Sequence, residues 1–276
     1  YHSYQKVVGE AFQDHPIFVK ALDNACRQYI NYNKIAKVTG KNSSTSSSSK
    51  TPELLAKYSD NLLKKNKDAD ATSDMSVDDI MIIFKFLTDK DAFETHYRRL
   101  LAKRLIHGTS SSEETEETII QRLQTENSLE YTSKITKMFQ DIRASHELKI
   151  LFKEETMKNK KEMIPDFEPF VLTETMWPFN YNKNAFQLPM DLLPTFNRLE
   201  EIYNSKHNGR VLKWHWSLSR GEIKASIQKP FTFSMTLYQM AIILPFNEND
   251  SYTIGDLLDL TGLDSVTLQN SLAPMI

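Results

Sequence analysis

Apolar side chains recur at helical spacing through the first half of the chain. Between Pro16 and Lys37 the positions Ile17, Phe18, Ala21, Leu22, Ala25, Cys26, Tyr29 and Ile30 form an i, i+1, i+4, i+5 series, the stripe of an amphipathic helix. Asp14 can cap it, Pro16 suits its first turn and Gly40 follows its end. Glu53 to Lys65 resumes the spacing through Leu54, Leu55, Tyr58, Leu62 and Leu63. Ser76 with Asp79 has the form of a capping box, and it opens Ile80 to Leu87, apolar almost all round and suited to the centre of a bundle. A long helix runs from Asp89 to His107 and is stopped by Gly108. Its Phe93, Tyr97, Leu100, Leu101 and Leu105 share one arc of about 140°. Arg104 projects into that arc and is expected to be partly buried against a carboxylate, whereas Arg99 and Lys103, an i, i+4 pair, should face solvent. Ser128 to Thr156 continues as helix, with Tyr131, Ile135, Met138, Phe139 and Ile142 in one stripe and a break expected near Ser145.

After the basic run Lys158 to Lys161 come Pro165, Pro169 and Pro178, helical periodicity stops, and a boundary near 160–165 follows. Leu212, Trp214, Trp216 and Leu218 alternate with Lys213, His215, Ser217 and Ser219, the period of a strand with one buried face. Ile223, Ala225 and Ile227 repeat the pattern after Arg220-Gly221. Phe231, Phe233 and Met235 repeat it again after Lys229-Pro230, predicting a three-strand antiparallel meander. Phe167 to Thr173 reads as a further strand, with Pro169 suited to an edge. Pro189 to Lys206 and Thr236 to Leu244 read as helices. The tail places a short helix at Thr253 to Leu260, a Thr-Gly turn, and another helix from Asp264 or Ser265.

Composition narrows the classes. The 276 residues are enough for two domains of roughly 100–200 residues each. Their 34 basic and 36 acidic residues give a net charge of -2, without a bulk signal for nucleic acid or membrane. Only 7 glycines argue against phosphate-cradling loops, and the single Cys26 excludes an internal disulfide and suits a reducing compartment. No apolar run approaches the ~18 residues of a membrane span. The start, Tyr1-His2-Ser3-Tyr4, lacks a basic n-region and an initiating Met, so the chain reads as a fragment of something longer. Residues 41–50, serine-rich, and 66–75, polar, read as flexible loops between helices.

Chemistry is scarce. Cys26 lies inside an apolar stripe, where a reactive thiolate is hard to build. Glu113, Glu114, Glu116 and Glu117 suit the first turn of a helix better than a metal site. The seven histidines show no close ligand spacing, and His96 and His107 read as surface or helix-end residues. The spacing at 253–276 is that of a helix-turn-helix, which raises DNA binding. The tail from Asn247 to Ile276 holds Glu248, Asp250, Asp256, Asp259 and Asp264 and no Lys or Arg, so it lacks the cations a recognition helix needs.

The segment from Lys90-Asp91-Ala92-Phe93 through Tyr97 to Leu101-Ala102-Lys103-Arg104-Leu105 resembles the cullin homology signature, a D-x-F-x-x-x-Y motif leading into L-A-K-R-L. Glu130-Tyr131-Thr132-Ser133-Lys134, Met138 to Ile142, Trp177-Pro178-Phe179, His207 to Trp214 and Tyr238 to Leu244 resemble cullin segments in the same order, over essentially the whole chain. The stretch 49–58 most resembles the cullin of SCF-type ligases, in a fungal-looking version.

The resemblance implies a mainly helical α+β fragment: a four-helix-bundle domain over 1–162, an α/β domain over 163–246, and part of a winged-helix segment over 247–276. It implies a non-catalytic scaffold of a RING E3 ubiquitin ligase, found in cytoplasm and nucleus, whose α/β domain takes a strand from a small RING-box protein. Phe170, Val171, Leu172, Trp177, Leu212, Trp214, Trp216, Ile223, Ala225 and Ile227 are the candidate contacts. Lys64, Lys65 and Lys67, with Arg99 and Lys103, match part of a basic patch that attracts the acidic tail of a ubiquitin-conjugating enzyme. A cullin-associated exchange factor is a further partner the family allows. No cofactor is expected, zinc belonging to the RING partner, and no nucleic acid or membrane. The adaptor-binding repeats and the neddylation lysine of the family fall outside these residues. A helix-turn-helix DNA-binding protein and an enzyme using Cys26 are the competing readings.

Overall fold

The computed structural model describes residues 1–36, 49–64, 76–158, 166–180, 185–226 and 230–276. They fall into two compact units, one of Tyr1–Ser145 with Phe170–Pro178 and one of His146–Pro169 with Phe179–Ile276. The fold class is α+β and mainly helical, with a small antiparallel sheet confined to the second unit.

The first unit opens with α1 (His2–Phe12), along which Tyr4, Val7, Val8, Ala11 and Phe12 recur at helical spacing, and α2 (Pro16–Asn31). The left-handed Gln13 and Asp14 turn the chain between them, so His15 rather than Asp14 caps α2, accepting from the Ile17 N–H at 3.4 Å. α2 ends at Asn31, six residues before the expected Lys37. The Asn31 amide leaves the helix to donate to the Phe86 carbonyl at 2.9 Å and accept from Thr88 N–H at 3.1 Å. The stripe along α2 is largely uncovered, with Ile17 and Tyr29 exposed and Cys26 half-buried.

The core of this unit lies in α3 (Thr51–Leu63), α4 (Val77–Phe86), α5 (Lys90–His107), α6 (Glu113–Glu126) and the first half of α7 (Leu129–Lys158). The Ser76/Asp79 capping box starts α4, and left-handed Gly108 (φ 59) ends α5, as the local residues require. Phe84, Phe93 and Tyr97 form a buried ring series at 5.1 and 5.5 Å. α7 runs unbroken through Ser145, whose hydroxyl donates to the Asp141 carbonyl at 2.7 Å, so the expected break is not present. The expectations for flexible loops at 41–50 and 66–75 fall outside the described residues, apart from Ser49 and Lys50.

Arg104 is wholly buried and meets two carboxylates rather than one. Its Nε and Nη2 donate to Glu116 at 2.7 and 3.0 Å, and Nη1 donates to Asp60. Ser110 Oγ donates to Glu116 at 2.9 Å, Tyr97 Oη stands 3.3 Å from it, and Lys64 Nζ lies 2.6 Å from Asp60. Burial works against the Arg104 charge, but the Glu116 bonds outweigh it and hold the guanidinium above its ordinary pKa. Burial likewise pushes the Tyr97 hydroxyl up, with Glu116 adding to it. α3, α5 and α6 are thus joined by one fully bonded polar cluster.

In the second unit α8 (Leu193–Lys206) is followed by a short 3-10 turn at Trp216–Leu218, then β1 (Arg220–Ser226) and β2 (Pro230–Thr236). They pair antiparallel with Ile223 opposite Phe233 and Ala225 opposite Phe231. A Cβ on Gly221 would come within 2.9 Å of Met240 Sδ, so the sheet approaches α9 (Leu237–Ile243) where no side chain intervenes. The three-strand meander is reduced to this hairpin among the described residues, since 211–215 and 167–173 carry no strand ladder there. Period-2 burial reports which face is covered; it does not require main-chain pairing. α10 (Ile254–Thr261) and α11 (Ser265–Leu272) close the unit, and Ile242, Leu257, Leu263 and Leu268 form their shared core.

Candidate functional site

The candidate contact residues divide between the two units. In the first, residues 170–173 lie along α7 without forming a helix or turn. Val171 N–H donates to Ser145 Oγ at 2.8 Å, and Thr173 N–H donates to Asp141 Oδ2 at 2.7 Å. The Thr173 hydroxyl and the Trp177 indole N–H also reach the Asp141 carboxylate, at 3.1 and 2.9 Å. Lys137 Nζ, 3.3 Å away, balances its charge. Arg98 donates to the Met176 carbonyl at 2.9 Å and closes the segment onto α5. Phe170 is exposed, Val171 and Leu172 are half-buried, and Trp177 is buried as part of the anchor.

In the second unit Leu212, Trp214 and Trp216 are half-buried beside α8. Trp214 meets Phe196 edge-on at 4.7 Å, stacks on Trp216 at 5.5 Å, and donates from its indole to Glu200 at 2.6 Å. Ile223 and Ala225 share a hairpin face with Phe231 and Phe233, which remain about half exposed. Ile227 lies outside the described residues.

Residues 1–149 match the family model of the cullin alpha solenoid domain, and residues 171–276 match that of the cullin alpha+beta domain. The chain belongs to the cullin family. It is 54% identical over 99% of its length to "Cell division control protein 53" of Saccharomyces cerevisiae and 39% identical over 96% to "Cullin-1" of Schizosaccharomyces pombe. Human "Cullin-4A" is 30% identical over 96% of the chain. In each case this cullin chain spans 34% of the relative's length.

In this cullin the basic-patch candidates are unequal. Lys64 sits at the C-terminus of α3 with its ammonium bound to Asp60, and its backbone bridges to Ser110. Arg99 and Lys103 are exposed on α5, which packs against α3, and neither has an ion-pair partner among the described residues. Lys65 and Lys67 lie outside them. The two exposed cations therefore present their charge to solvent, whereas that of Lys64 is offset.

Glu113 and Glu117 at the start of α6 pair with Arg143 of α7, and Glu116 belongs to the Arg104 cluster, so three acids of the run are held by arginines. Among the described residues of this cullin there is no group of three or more His, Cys, Asp or Glu placed to hold a metal ion, and no helix is long and apolar enough to cross a membrane. His107 is exposed at the end of α5, but His96 is half-buried rather than a surface residue, and burial lowers its pKa against the opposing pull of Glu53. Sequence reasoning missed Asp141 and Ser145. Their one signal was two small polar residues within the apolar face of α7, which a buried position leaves needing partners.

Proposed function

We propose that this chain is a scaffold segment of an SCF-type cullin-RING E3 ubiquitin ligase. It holds a small RING-box protein by strand addition and presents a basic surface to the acidic tail of a ubiquitin-conjugating enzyme. The observation that carries the reading is the match of the two cullin domain models, in order, along the chain, together with whole-chain similarity to a "Cullin-1". The scarcity of reaction chemistry noted in the sequence fits a supporting role, with zinc residing in the RING partner and ubiquitin transfer occurring on other subunits. A RING partner joined by main-chain bonds needs a segment whose backbone groups are not already paired in a sheet, and the absence of a strand ladder at 170–173 supports this reading. A ligase acting on cell-division substrates would work in both cytoplasm and nucleus, and an exchange factor for the family would find its surface on the same scaffold.

Co-expression with a RING-box protein tests the reading. A soluble 1:1 complex that survives gel filtration is the expected result; two separately eluting proteins would overturn it. The DNA-binding alternative has the helix–turn–helix of α10 and α11 in its favour but not the charge, since 247–276 carries no Lys or Arg.

A further inference from the structure

Thr51, the half-buried first residue of α3, stands where the end of α2 meets the start of α3. Of the ten prolines in the chain only Pro52 follows a Ser or Thr. A Thr-Pro pair is what proline-directed protein kinases read, and Leu54, three places beyond Thr51, assigns it to those that need no base there. The hydroxyl is in use: Thr51 Oγ1 donates to the Ile30 carbonyl at 2.7 Å and accepts from Ser49 Oγ at 3.1 Å. Beside it Lys50 N–H donates to the Ala36 carbonyl at 2.8 Å, so two bonds a residue apart hold the two helix ends together. The Asn33 amide also reaches the Ile30 carbonyl, but at 3.4 Å.

Thr51 lines a surface cleft of about 390 Å³ with Tyr29, Lys34 and Leu54, which is ample room for a phosphoryl group. Lys34 is exposed, and neither it nor Lys50 makes an ion pair among the described residues. Glu53, two residues on, is held by Lys57 at 2.6 Å. We propose that Thr51 is a phosphorylation site for a proline-directed kinase, and that the phosphoryl group exchanges the tie between α2 and α3 for an ion pair with Lys34 across the cleft. In the transfer a bond forms between Thr51 Oγ1 and the γ-phosphorus of ATP. The bond from that phosphorus to the oxygen shared with the β-phosphate breaks, ADP leaves, and the hydroxyl proton passes to the kinase's base. The esterified oxygen has no proton to give Ile30, and a phosphate of about -1.5 to -2 charge repels that carbonyl, so the side chain turns to the cleft. Thr51, Ile30 and Lys34 all lie in the first unit, and the assignment is independent of the ligase reading.

Incubating the whole chain with ATP and a mitogen-activated protein kinase, followed by peptide mass spectrometry, tests the site. Phosphate on Thr51 of the folded chain, absent in Thr51→Val, is the expected result. No phosphate there, or phosphate only after unfolding in urea, would overturn the proposal. In the phosphorylated chain the Lys50 amide should exchange about fivefold faster, the worth of one net hydrogen bond, and Thr51→Val should show the same rise. Unchanged exchange in both would refute the tie. In a phosphorus NMR titration the second ionisation of the phosphate should lie about half a pH unit below that of the phosphorylated peptide 49–58, and Lys34→Ala should abolish the difference. Equal midpoints in the folded chain and the peptide would refute the ion pair.

Discussion

Replacing Arg104 tests whether the buried cluster holds the first unit together. Arg104→Met keeps most of the side-chain volume and removes the cation from between Glu116 and Asp60, both buried. Removing one partner of a buried pair costs about 3–5 kcal/mol, because the remaining charge stays desolvated. Here Lys64 still neutralises Asp60, and Ser110 and Tyr97 still bond Glu116, so the loss should lie near the lower figure, about 3 kcal/mol. Against a total of about 5–15 kcal/mol for a domain, that is a large fraction. The three tryptophans are Trp177 in the first unit and Trp214 and Trp216 in the second, so a Trp214→Phe, Trp216→Phe background leaves a fluorophore that reports the first unit alone. In urea the midpoint should fall by about 1–3 M. Adding Glu116→Leu to Arg104→Met should recover at least about 1 kcal/mol relative to the sum of the single changes, since it removes the stranded charge. A single variant within about 1 kcal/mol of the parent, or a strictly additive double variant, would refute the argument.

The depressed pKa of His96 makes the first unit acid-sensitive. The folded state binds its proton less readily than the unfolded state, so the contribution is present above the ordinary histidine value of 6.5 and is lost as pH falls through the lower folded value. Urea midpoints of the single-tryptophan protein should decline as pH falls from 7 through 6, and His96→Gln should flatten that decline; equal slopes would exclude His96 as its source. For the basic surface, Arg99→Glu with Lys103→Glu should slow association of an acidic-tailed conjugating enzyme most at low salt, while Lys64→Glu, whose native ammonium is offset by Asp60, should do less. Stopped-flow rates across an ionic-strength series decide this, and equal effects at low and high salt would contradict steering.

The features legible in the sequence are those whose cause lies within a few residues. The capping box at Ser76 and Asp79, the left-handed stop at Gly108 and the helix start at Thr253 each need only local backbone and a nearby side chain, and all three occur where expected. What failed required knowing the other side of a contact. The stripe on α2 correctly indicates a helix, yet its largely uncovered apolar face shows that amphipathicity specifies a face without supplying what covers it. Arg104 was legible as a buried cation, but its second carboxylate, Glu116, reads in sequence as one acid in a helix-starting run.

The alternation at 212–218 shows the same limit in the candidate site. Trp214 and Trp216 do share a side, but that side packs on Phe196 of α8 and main-chain pairing is a separate requirement. The placement of 170–173 lies further still from sequence, because it depends on a helix thirty residues upstream. A buried aspartate and serine at i and i+4 on a helix, followed in the chain by a non-helical segment with a proline, is the pattern by which α7 binds that segment. Asp141 and Ser145 thus fix which backbone groups of the 170–173 segment face α7, and a variant without acceptors at both positions should release the Val171 and Thr173 N–H groups from the helix.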